Sequence, residues 1–104
     1  MDPVLTEGWF SLSLVQQMIN IGNEVKRAVR FDMDEEKKHA FMNKAIEYAD
    51  LTMKDPKNSG VLPELEIGKQ VLMDYDGAHV LNVSKEQLRD YYLHFAMMLT
   101  GDIH

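Results

Sequence analysis

Three groups of side chains have the types and spacings that chemistry uses. The first is Arg89-Asp90-Tyr91-Tyr92-Leu93-His94. An arginine there could stabilise charge on a phosphate, and a histidine five positions later could move a proton. On one regular helix, however, five residues turn through about 140°, so Arg89 and His94 point apart unless the helix breaks or a second chain completes the site. The second is Glu36-x-x-His39, a spacing that sets a carboxylate and an imidazole on one helical face, as in di-iron bundles. A full metal site needs a second such pair and further carboxylates, and no second Glu-x-x-His occurs. Asp34, Glu35 and Glu36 also read simply as acids at the positive end of a helix dipole. The expectation is therefore no cofactor and no metal, with Glu36 and His39 as the alternative ligands.

The third group is a polar stripe of Asn20, Glu24 and Arg27. Spacings of four and three put them on one face, beside two apolar rows. Asp50 and Thr52 could approach the stripe from another helix. Asn20, Glu24, Arg27 and Asp50 are thus the candidate binding cluster, either as a buried network that sets helix register or as a partner interface. The plainer alternative is an intrahelical Glu24–Arg27 pair with Asn20 on the surface.

These residues lie on four helical segments. The first runs from Ser11 or Ser13 to Arg30. Leu14, Met18, Ile21, Val25 and Ala28 repeat at helical spacing, with Val15, Ile19, Gly22 and Val29 beside them. Ser13 and Gln16 have capping-box spacing. Residues 2–10 form a prelude, either a short helix with Pro3 in its first turn or a continuation of the first segment across Gly8. Trp9 and Phe10 are expected to be buried. The second segment starts near Asp32 or Asp34, carries Met42, Ala45, Ile46, Ala49 and Met53 inward, and ends at Asp55-Pro56. Lys57 to Gly60 reads as an ordinary connection. The third opens at Leu62-Pro63 and stops at Asp76-Gly77. It carries Leu65, Gly68, Leu72 and Tyr75 on one face, and close helix approach would account for Gly68. The fourth is capped by Ser84 with Gln87, carries Leu88, Tyr92, Phe95 and Leu99 inward, and ends at Gly101. Ala78 to Leu81 could be a strand by composition, but a lone strand has no partner, so a loop packed on the core is expected. The expected fold is all-α: an antiparallel four-helix bundle with a short extra N-terminal segment, forming one domain over residues 1–104.

Three stretches resemble a family of small prokaryotic helical proteins to which no activity is attached. They are Asn20 to Ala28, Ala49-Asp50-Leu51-Thr52 with Asp55-Pro56, and Phe95-Ala96. The resemblance implies a helical bundle and no catalytic residue. Separately, the Arg89 to His94 stretch resembles the motif of HEPN-type helical ribonucleases. That resemblance implies metal-independent RNA cleavage, with Arg89 on phosphate charge and His94 in proton transfer.

Composition narrows the functional classes. The 104 residues carry a formal charge of −6, with 45% apolar and 27% charged side chains, which is a globular balance. Residues 1–60 contribute −2 and residues 61–104 contribute −4. The acidic balance argues against a DNA-binding protein, which needs a clustered basic surface to displace counterions, and RNA enters only under the ribonuclease alternative. The same balance disfavours an anionic membrane surface. Absent cysteine removes disulfides, thiolate metal sites and a thiol nucleophile. No apolar run reaches membrane-spanning length. Met1-Asp2-Pro3 lacks the basic and apolar regions of a leader, so a cytoplasmic protein is expected. Seven internal methionines (Met18, Met33, Met42, Met53, Met73, Met97 and Met98) suit irregular cores and adaptable surfaces.

With no convergent catalytic set, the expected function is a non-enzymatic interaction module that self-associates and docks on a protein partner. The wide apolar faces of the first and fourth segments motivate the expected homodimer. The HEPN-like ribonuclease using Arg89 and His94 is the alternative.

Overall fold

The computed structural model describes residues 3–31, 33–77 and 80–100, with the backbone alone at 3–6, 96, 99 and 100. The protein is all-helical, with no strand among the described residues. Helix α1 is Pro3–Phe10, α2 is Leu14–Arg30, α3 is Glu35–Lys54, α4 is Leu62–Asp76 and α5 is Lys85–Thr100. A 3-10 helix, Pro56–Val61, joins α3 to α4.

Local chemistry sets these boundaries. At Ser13 both halves of a capping box form: Gln16 N donates to Ser13 Oγ at 3.1 Å, and Ser13 N donates to Gln16 Oε1 at 2.9 Å. The break before it makes α1 a separate helix, tied off where Ser11 Oγ donates to the Gly8 carbonyl at 2.7 Å. Asp34 caps α3 through Lys37 N; Asp32, the other candidate start, lies outside the described residues. Ser84 and Gln87 repeat the box at α5. Gly101, its expected end, lies outside the described residues.

Helix α2 lies between α3 and α5, and α4 packs on α3 and, more sparsely, on α5. This arrangement explains its double apolar row. Met18, Ile21, Val25 and Ala28 are buried among Met42, Ala45, Ala49 and Leu51 of α3, Leu65 and Leu72 of α4, and Leu88 and Tyr92 of α5. The second apolar row of α2 is partly covered within this chain, with Ile19 45% exposed, while α5 leaves Leu93, Met97 and Met98 exposed.

Two connections differ from expectation. Residues 56–61 are a 3-10 helix rather than an open link, because Asp55 caps it and Asn58 turns inward. In the segment before α5, Val83 packs on the core but Val80 and Leu81 are exposed, their amides held by the Asp74 carboxylate at 2.7 and 3.0 Å. Ala78 and His79 lie outside the described residues.

Candidate functional site: a polar cavity and an apolar groove

Helix α1 is fastened by buried polar groups as well as by the Trp9 ring in the core. The Trp9 ring stacks on Tyr48 with centroids 4.4 Å apart, and its Nε1 donates to Thr52 Oγ1 at 2.9 Å. The Thr52 hydroxyl in turn donates to the Tyr48 carbonyl. Gln17, fully buried, donates from Nε2 to the Trp9 carbonyl and to Asp55 Oδ2, both at 2.9 Å, and accepts from Asn58 Nδ2 at 2.9 Å. Asn58 also donates to the Thr52 carbonyl. Lys57 pairs with Asp55 and reaches the Phe10 carbonyl at 3.0 Å. Desolvation, the strongest single influence on Asp55, pushes its pKa up. Hydrogen bonds from Lys57 and Gln17, together with the Lys57 charge, outweigh it and hold the carboxyl below its ordinary value.

Beside this network a cavity of about 500 Å³ opens between α1, α2 and α3. Its walls include Trp9, Leu12, Asn20, Asn23, Glu24, Arg27 and Tyr48. Glu24 is buried, and its Oε1 accepts from Arg27 Nη1 one helical turn on. Glu24 Oε2 has no hydrogen-bond partner, the single buried side-chain atom in that condition among the described residues. Three of the four residues of the expected polar cluster therefore share one cavity. The fourth does not: Asp50 pairs with Lys69 of α4 on another side of α3.

Arg89 and His94 are separated by an unbroken helix. Arg89 borders a small hollow with Ile19, Gly22 and Asn23 of α2, and its Nε binds the adjacent Asp90 at 3.1 Å. His94 lies in a different hollow, with Asp90, Tyr91 and Phe95. The two do not converge within one chain. Glu36 is exposed, and His39 Nδ1 instead meets Asp76 Oδ2 of α4 at 2.7 Å. Among the described residues, no three His, Asp or Glu side chains gather as metal ligands.

An apolar groove runs along the α4–α5 side, the sparsest of the helix seams that close around the core. Tyr91 and Tyr92 fill the seam from α5. A Cβ placed on Gly68 of α4 would lie 3.0 Å from Tyr92 Oη and 3.3 Å from the Tyr91 ring. The close approach at Gly68 is thus by tyrosine side chains, not by helix backbone. Burial pushes the Tyr92 hydroxyl pKa far up, so it stays a neutral wedge; Tyr91 is raised too, by burial and then by Glu64. Outside this wedge lie three adjoining hollows of about 380, 380 and 230 Å³. Gln87 and Tyr91 are shared by two of them, and Phe95 and Met98 by two. Val61, Val71 and Leu81 complete the apolar lining. Among the described residues, the ionisable groups that line it are Glu64, Asp90, Tyr91 and His94, with no lysine or arginine.

The network around Gln17 escaped sequence reasoning, although its signal was present. Gln17 and Glu24 fall inside the row Leu14, Met18, Ile21, Val25, where a polar residue must find a buried partner.

Comparison with protein-family models, with curated proteins and with solved structures finds no match for this chain.

Proposed function

We propose that this protein is a non-enzymatic interaction module that receives a cationic amphipathic helix of another protein in the α4–α5 groove. We read α2 to α5 as an antiparallel four-helix bundle, open along that groove, with α1 as the extra segment. The observation that carries the functional reading is the groove lining: Tyr91, Phe95 and Met98 beside Val61 and Val71, with carboxylates and, among the described residues, no lysine or arginine at the border. Contiguous apolar surface of this kind marks docking sites. The stretch from Gln87 to Met98 spans about three helical turns, a length that an amphipathic helix matches with anchors at spacings of three and four. Glu64 and Asp90 select positive charge on the partner, although Asp90 is in part answered by Arg89. A second copy laid in the same groove would bring like charges together, so the occupant is another protein.

Calorimetry with a synthetic helix of alternating leucine and lysine faces tests this. Binding is expected, and it should weaken at least about tenfold in Phe95→Gln, a loss of about 1.4 kcal/mol. Met33→Gln, at a position 97% exposed elsewhere on the surface, should leave it unchanged. Equal binding of a helix with glutamate in place of lysine, or indifference to Phe95→Gln, would refute the reading.

A further inference from the structure

A buried carboxylate is ordinarily paired at both oxygens, because taking its charge out of water is costly. Glu24 meets this condition at one oxygen only. Its side chain is 8% exposed, Oε1 is taken by Arg27, and Oε2 has no partner. Every other buried polar side-chain atom among the described residues is partnered, including all of those around Gln17. The exception belongs to a residue that lines a cavity of about 500 Å³, a size that small-molecule sites occupy, with Oε2 itself closed off from water while Arg27 holds Oε1.

The rest of that wall narrows the ligand. Glu24 and Arg27 are its two charged residues, so the lining is balanced. A purely cationic ligand would meet Arg27, and a purely anionic one would meet Glu24. A neutral molecule without N–H groups would leave Oε2 as it is, since a carboxylate only accepts. Asn20 and Asn23 offer donors and acceptors, while Leu12 and Tyr48 offer half-buried apolar surface.

We infer that this cavity binds a free α-amino acid with an apolar side chain, its ammonium on the Glu24 carboxylate and its carboxylate on the Arg27 guanidinium. Binding replaces one intrahelical ion pair by two. Arg27 is 53% exposed, so its guanidinium has room to follow the ligand carboxylate outward. That movement frees Oε1 for the ammonium, and the carboxylate gains more than one donor. The apolar side chain lies along Leu12 and Tyr48. This site is separate from the α4–α5 groove, and the two readings stand or fall independently.

Trp9 is the sole tryptophan and lines the cavity, so its emission reports occupancy. Titration with leucine and with phenylalanine should give a saturable change in Trp9 emission. Isoamylamine and phenethylamine, which lack the carboxylate, and hydrocinnamate, which lacks the ammonium, should bind at least about tenfold more weakly. Glu24→Gln should weaken amino-acid binding by a similar factor. Gly8→Leu provides a second variant: Gly8 lines the cavity and a Cβ there meets nothing within 4 Å, so the added side chain enters open space without crowding the fold. It should block binding while leaving the helical circular dichroism intact. The proposal is overturned if the amines or the acid bind as well as the amino acids. It is overturned too if Gly8→Leu and Glu24→Gln bind undiminished, or if no free amino acid gives a saturable response by emission or calorimetry.

Discussion

The hydroxyl of Tyr92 stands 3.0 Å from where a β-carbon on Gly68 would lie, so one residue of α4 is kept bare by one side chain of α5. The relation sets the width of the α4–α5 seam and leaves Tyr91 as the floor of the groove outside it. In an open helix, alanine in place of glycine would stabilise by about 1 kcal/mol. Here the added methyl presses on a buried tyrosine that must give way by a few tenths of an ångström, and overpacking costs about 1–3 kcal/mol. Gly68→Ala is expected to lower stability by about 1 kcal/mol net in urea denaturation. A more stable variant would mean that the seam yields freely.

Gln17 serves three partners, the Trp9 carbonyl of α1, Asp55 between α3 and the 3-10 helix, and Asn58 within that helix. Gln17→Leu keeps the volume but withdraws those bonds inside the core. The expected loss is about 2–3 kcal/mol, read from the denaturation midpoint, together with a shift of Trp9 emission as α1 loosens. A change near zero would show that the Gln17 bonds add nothing to the hold on α1.

Asp55 makes stability depend on acid. Its carboxyl is held below the ordinary value in the fold, so between the two values the unfolded chain binds more protons. Its contribution is complete above the ordinary carboxylate range, near pH 4, and is lost as pH falls through the lowered folded value. The stability of the unaltered protein should therefore fall more steeply below about pH 4 than that of Asp55→Asn. Parallel pH profiles for the two proteins would remove Asp55 from the account.

Much of the helix layout was legible because caps and periodicity are local. Ser13 with Gln16 and Ser84 with Gln87 announce their helix starts, and the row Met18, Ile21, Val25 and Ala28 announces a buried face. What depends on distant partners was not legible. The reach of Asn58 to Gln17 spans forty-one positions, and no local pattern distinguishes that asparagine from one in an ordinary turn. The polar stripe was found at Asn20, Glu24 and Arg27 because those residues share one helix. Asp50 was grouped with them on proximity in sequence to the end of α3, and its true neighbour, Lys69, belongs to α4. The width of the α2 apolar stripe was visible too, but not that α3 and α5 would flank it on two sides.

That coverage bears on self-association. With the Met18, Ile21, Val25 and Ala28 row of α2 buried in the chain and Glu64 and Asp90 bordering the groove, light scattering at micromolar concentration should report the 12.0 kDa mass of one chain. Twice that mass would make a second copy the natural occupant.

The docking account is tested most directly with the methionines as native probes. Met98 lies in the groove and is 63% exposed, Met33 is exposed far from the core, and Met18 and Met42 are buried. With methyl-labelled methionine, titration of the cationic amphipathic helix should shift the Met98 resonance in a saturable way. Met33, Met18 and Met42 should stay in place. A shift confined to Met33, or equal small shifts at every methionine, would contradict the α4–α5 groove as the docking surface.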